Sequence, residues 1–154
     1  MTVTHGRRVA IGVFGGRDVG DDIWQIAEKV GSGIAKLGGI LVCGGMGGVM
    51  EAACIGAKSQ DGLTLGILPT STKEEGNNYI DIAIATGMGS ARNSIIVRSI
   101  DAAIAIDGQY GTLSEIAYCL EMGVKVIGIR TWNIEGVIQA DSPEDAVAKA
   151  YENI

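Results

Sequence analysis

Ala102-Ala103-Ile104-Ala105-Ile106 is a run of small and β-branched apolar residues with no polar position. A strand built from it has no face that can meet water, so it must be covered on both sides. An open parallel sheet sandwiched between helices supplies that cover. The run breaks at Asp107-Gly108, after which Leu113, Ile116, Ala117 and Leu120 recur at helical spacings of three and four. A buried strand entering a helix through a glycine turn carries backbone N–H groups to the carboxyl edge of its sheet. Open α/β sheets bind their ligands at that edge.

The rest of the chain repeats this unit. Val9–Phe14 reads as a first strand ending in Gly15-Gly16, and Asp21 or Asp22 can cap a helix with Ile23, Ile26, Ala27, Val30, Ile34 and Leu37 on one stripe. Gly38-Gly39 ends that helix. Ile40–Cys43 is a second strand, followed by Gly44-Gly45-Met46-Gly47-Gly48 and a helix to about Ser59 with the small face Ala52, Ala53, Gly56 and Ala57. Thr64–Leu68 is a third strand closed by Pro69. Residues 70–79 are polar and aperiodic, which suits either a mobile lid or a solvated crossover. The alternation in Ile80–Ala85 suggests a fourth strand, and Gly87-Met88-Gly89 leads to a helix from Ala91 to about Ser99. Gly123 stops the helix after the opening strand, Lys125–Ile129 is a sixth strand, and Ser142-Pro143-Glu144-Asp145 starts a last helix to about Glu152. Strands and helices thus alternate without internal repeat or linker. The expected fold is α/β: one Rossmann-like, doubly wound domain over residues 1–154 with a mostly parallel sheet.

The net charge of −6 argues against a partner such as long nucleic acid, which needs a basic face. It leaves room for a small anion held by one helix N-terminus and one Arg. Cys43, Cys54 and Cys119 are odd in number and lack CxxC spacing, the pattern of reduced, buried thiols in a cytoplasmic protein. His5 is the only histidine, so no metal site is expected, and no apolar run approaches the ~18 residues of a membrane span.

Two nucleotide fingerprints fail. Gly15-Gly16-Arg17-Asp18-Val19-Gly20 continues into Asp21-Asp22 where a P-loop needs Lys and Ser or Thr, and Gly45-Met46-Gly47-Gly48-Val49-Met50 ends in Met where a dinucleotide loop needs Gly. Four glycines in five positions at Gly44–Gly48 still let the backbone approach an anion at a helix N-terminus; a tight strand-to-helix turn is the plainer alternative. Ser90 looks like a cap that places Arg92 in a first helical turn. A cation there opposes the helix dipole, unless it is shared with a bound anion and positioned by Asn93. Thr112-Leu113-Ser114-Glu115 fits a capping box, and Glu115 equally suits a catalytic carboxylate at the end of a buried strand.

Asp107–Glu115 resembles the PGGxGTxxE motif of the LOG (Lonely Guy) family, Gly44–Met50 resembles its second glycine motif, and Ala91-Arg92-Asn93 sits where that family carries Arg-Lys. The likeness runs from Val9 to about Ile129 and reaches the wider SLOG superfamily, which includes molybdenum cofactor carrier proteins. Asp107 stands where the motif has Pro, Gln109 where it has Gly, and Asn93 where it has Lys. The resemblance implies hydrolysis of the N-glycosidic bond of a nucleoside 5′-monophosphate, with Arg92 and Glu115 catalytic, or else a non-catalytic carrier of a phosphorylated cofactor. Ligand contacts would come from Gly15, Gly16, Gly44, Gly45, Met46, Gly47, Gly48, Asn93, Asp107, Gly108, Gln109, Gly111 and Thr112. No cofactor is required by this reading; a nucleotide, phosphate or molybdopterin would be the bound species. The cleft should join the ends of strands one, two, four and five. A mean hydropathy of +0.27 and the habit of such relatives point to a homodimer or homotetramer.

Overall fold

In the computed structural model, which describes residues 6–154, β1 (Ala10–Gly15) and β5 (Ala102–Ile106) run side by side, from Ile11 opposite Ala102 to Gly15 opposite Ile106. His5 lies outside the described residues. From β1 the chain winds one way through β2 (Ile40–Cys43), β3 (Leu63–Leu68) and β4 (Ile82–Ala85). It then crosses to the other side of β1 for β5, β6 (Lys125–Ile129) and β7 (Ile138–Gln139), giving the order β4-β3-β2-β1-β5-β6-β7. Every neighbouring pair is parallel, so the sheet is wholly rather than mostly parallel. The winding reverses between β1 and β5. Loops leaving those two strands diverge to opposite faces and leave a crevice.

Alternation along β5 feeds two cores. Ala102, Ile104 and Ile106 pack with α1 (Asp21–Lys36), α2 (Val49–Lys58) and α5 (Pro143–Tyr151) on one face. Ala103 and Ala105 pack with Ile96 and Val97 of α3 (Asn93–Arg98) and Ile116 and Cys119 of α4 (Tyr110–Met122) on the other. All five β5 residues are buried, as an apolar run without alternation requires.

Local signals differ from expectation in four places. Gly20, not Asp21 or Asp22, is the N-cap of α1; the two aspartates sit in its first turn, where the helix dipole favours carboxylates. Strand β4 starts at Ile82 and is an edge strand with Ile82 and Ile84 half exposed. Strand β7 is two exposed residues, too short for any periodicity to reveal. Residues 70–79 contain a 3-10 turn at Lys73–Glu75, and Asn77 straps them to the glycine turn: its N–H donates to Gly45 O (2.9 Å) and its side-chain amide to Met46 O (2.9 Å). Two other helix signals hold. Ser142 Oγ accepts the Asp145 N–H at 3.0 Å with Pro143 in the first turn, and Gly123 closes α4 in the left-handed conformation.

The small faces of α1 and α2 let the two helices meet backbone to backbone. A methyl group at Gly31 would run into the carbonyl oxygen of Ala53, and one at Gly56 into that of Glu28. Because each obstacle is main chain, Gly31→Ala or Gly56→Ala must push the helices apart. Either should cost about 1–3 kcal/mol of stability in urea titrations, despite alanine's better helix propensity.

Candidate ligand cleft

A cavity of about 400 Å³ opens over the carboxyl ends of β1 and β5. Gly15, Gly16, Arg17 and Asp18 line it from the end of β1, Asp107, Gln109, Gly111, Thr112 and Glu115 from β5 and α4, and Ser90, Arg92 and Asn93 from the turn before α3. Met50 of α2 and Pro69 after β3 complete the wall. The Ser90–Asn93 turn is the segment that follows β4, so strands one, four and five reach the cavity through the residues after them. The expected contribution of strand two is corrected: no residue of β2 or of the glycine turn after it lines the cavity, and Pro69, after β3, does.

Gly44, Gly45, Met46, Gly47 and Gly48 do not line the cavity, and contacts explain why. A side chain at Gly44 would occupy the space of the Arg92 guanidinium, 2.5 Å from Nη2. Gly45 lies against Leu68 and Ile80, and Gly48, at φ +64°, lies against the main chain of Gly16 and Arg17. Only Gly47 is free of close neighbours. The cluster is mainly a close-packing device that admits Arg92 and seats the β1 loop on α2, where Val49 N–H donates to Gly16 O at 2.9 Å. Gly108 likewise sits beneath Thr112, at φ +97°, rather than on the cavity wall.

Arg92 ends a 3-10 turn, Gly89–Arg92, and immediately precedes α3. Ser90 lies inside that turn and caps nothing; Arg92 itself is the N-cap of α3. The buried guanidinium donates from Nε to Ile67 O (2.9 Å), from Nη1 to Asn93 Oδ1, and from Nη2 to Gly44 O (3.5 Å). All three acceptors are uncharged, and among the described residues no carboxylate lies within ion-pair distance of it. Burial lowers its pKa, the Glu115 carboxyl opposes that shift, and the like charge of Arg17 adds to it. Two guanidinium groups therefore converge on one cleft without a protein counter-charge at contact distance. Arg17 is the residue that sequence reasoning missed, together with Asp18, Met50, Pro69 and Ser90. Its signal was present: it follows the Gly15-Gly16 turn of a strand that proves to flank the switch point.

Glu115 is not part of a capping box. Helix α4 starts at Tyr110 with Gln109 at its N-cap, so Glu115 lies more than a turn inside it, buried against the cleft. Burial pushes its pKa up to about 8, against the pull of Arg92 and with a further push from Cys43. At neutral pH burial favours the protonated form of the carboxyl group. Folding raises this pKa above the ordinary 4.5, so the group's contribution to stability is complete below about 4.5 and lost as pH rises through about 8. Urea unfolding of wild type should therefore weaken between pH 5 and 9 on that account. Glu115→Gln, which cannot ionise, should remove that part of the slope while keeping stability at the acid end.

The chain is similar to proteins of known family over nearly its whole length. The family model described as the SLOG cluster4 family matches residues 8–153. An uncharacterised protein of Archaeoglobus fulgidus is 48% identical over 138 residues, spanning 89% of this chain and 91% of that one. The structure of the molybdenum cofactor binding protein from Rippkaea orientalis superposes with a TM-score of 0.88 at 37% identity, covering 93% of this chain and 95% of that one. The molybdenum cofactor carrier protein of Chlamydomonas reinhardtii gives a TM-score of 0.82 at 33% identity, covering 93% and 96%. With the family model spanning the domain from before β1 to the end of α5, this chain belongs to the SLOG cluster4 family.

Proposed function

We propose that this protein binds and carries a small phosphorylated cofactor of the molybdenum cofactor type without transforming it, and does so in the cytoplasm. The observation that carries the reading is the buried Arg92, held by neutral acceptors beside Arg17 at a cleft of about 400 Å³, in a chain 37% identical to a molybdenum cofactor binding protein. A bound anion supplies the counter-charge the two arginines lack, and the open N-terminal turn of α4 at Gly111 and Thr112 adds backbone N–H groups. The volume falls within the range of small-ligand sites. Three free, buried cysteines suit a reducing compartment.

The competing hydrolase reading has one specific observation in its favour: Arg92 and Glu115 line the same cavity. A carboxylate that stabilises an oxocarbenium ion has to be ionised, however, and burial favours the protonated form of Glu115. Incubation with AMP and other nucleoside monophosphates should release no free base, while molybdopterin should bind and be recovered unchanged. Arg92→Gln should weaken molybdopterin binding by tenfold or more, since an arginine-to-phosphate hydrogen bond contributes roughly 1.5–3 kcal/mol. Release of adenine that Glu115→Gln abolishes would instead establish the hydrolase.

We also propose a homodimer or homotetramer. Tyr110 is 79% exposed and Tyr118 is exposed further along α4, while Ile82, Ile84 and Met88 are uncovered near the other edge. Light scattering at micromolar concentration should show a mass at least twice 15.9 kDa, and a single 15.9 kDa species would refute this.

A further inference from the structure

The cleft has a second pole. Asp107, the first residue beyond β5, adopts φ +53°, a left-handed conformation that is strained for most side chains and tolerated best by Asn and Asp. The fold holds it there from both sides. Its N–H donates to Ile129 O at 3.1 Å, and its carbonyl accepts from Thr131 Oγ1 at 2.6 Å. The side chain faces the cavity beside Gly16, where a methyl group would lie 3.5 Å from Oδ2. Among the described residues its carboxylate forms no ion pair and receives no hydrogen bond, not even from the nearby N-terminus of α4. Asp18 also lines the cavity, but it sits exposed on the β1 loop, without the backbone tethers of Asp107.

An ionised carboxylate accepts only, and its two oxygens match two parallel N–H donors. A ligand with a phosphate for the arginines and such a donor pair for Asp107 satisfies both poles. The geometry points to Asp107 as a specificity determinant that selects the 2-amino-4-oxopyrimidine edge, shared by guanine and pterin rings, over rings that offer a nitrogen acceptor there. This inference rests on the reading of the cleft as a site for phosphorylated heterocycles. It holds whether or not the natural ligand carries a metal.

GMP, IMP and AMP form the test set: IMP is GMP without the 2-amino group, and AMP presents the opposite edge. Calorimetry at neutral pH should find GMP bound about tenfold or more tightly than IMP, as for a hydrogen bond to a charged acceptor, with AMP weakest. Asp107→Gly removes the carboxylate and relieves the backbone, so it should fold normally and bind GMP and IMP about equally. Asp107→Asn, which keeps one acceptor oxygen and tolerates the left-handed conformation, should fall between, and Glu144→Gln, on α5 outside the cleft, should leave the preference intact. Equal wild-type affinity for GMP and IMP overturns the inference. So does a GMP preference that survives in Asp107→Gly, or no GMP binding at millimolar concentration. A protein that prefers GMP through Asp107 yet ignores molybdopterin would remove the carrier proposal and leave this one standing.

Discussion

The guanidinium of Arg92 is the constraint around which the cleft is built. A buried arginine keeps its charge and must find acceptors for its N–H groups, or the cost runs to several kcal/mol. Here they are the main-chain carbonyls of Ile67 on β3 and Gly44 just past β2, with the side chain of Asn93 at the start of α3. The tips of two strands and one helix are thus tied together by one residue. Gly44 must stay without a side chain for the tie to exist, because its Cβ position is within 2.5 Å of Nη2. Glycine at the end of β2 and arginine forty-eight residues later are one feature seen twice in the sequence.

Electrostatics follow from that choice of acceptors. Had Glu115 been an ionised partner in contact with Arg92, the pair would have neutralised itself and left little to attract a ligand. Instead burial favours the protonated form of Glu115. The positive charge of Arg92 is left for whatever enters, and Arg17 reinforces it from the end of β1. Cys43 belongs to the same environment: it adds to the upward push on the Glu115 pKa, and its sulfur lies 3.7 Å from that of Cys54. The arrangement leaves positive charge uncompensated in the cleft, at the expense of the fold. A binding site can tolerate that exchange because ligand binding restores the stability.

What could be read from the chain depended on how local each signal was. The β5 run, the caps at Ser142 and Gly123, and the alternation of elements are decided by neighbours in sequence, and they led to the observed layers. The order of strands is decided by which surfaces remain uncovered after each crossover, and no short pattern encodes it. That is why Arg17 was passed over and why β2 was assigned to the cleft. The glycine cluster misled for a related reason: glycine signals close approach but not what approaches. At Gly44 it is a guanidinium, at Gly48 the main chain of Gly16 and Arg17, and at Gly45 the side chains of Leu68 and Ile80. The capping-box pattern at Thr112–Glu115 failed because Gln109 begins the helix earlier, at the turn that Gly108 makes possible.

One helix start therefore determines what Glu115 can do. A helix beginning at Thr112 would place Glu115 in its first turn, exposed and engaged with its own backbone. Beginning at Tyr110 instead carries the residue deeper, to the wall where Arg92 and Cys43 face it. The same earlier start leaves Tyr110 outside, 79% exposed, its ring 6.2 Å from that of Trp132, whose indole N–H is bonded to Gln109 O at 3.0 Å. Asp107 and Gly108, both at positive φ, are the turn that sets this register. The proline that the LOG motif carries where Asp107 stands could not adopt φ +53°, because its ring fixes φ near −65°. The departure from that motif is thus a different backbone as well as a different side chain. It leaves this turn with an acceptor facing the cavity where a proline would have none.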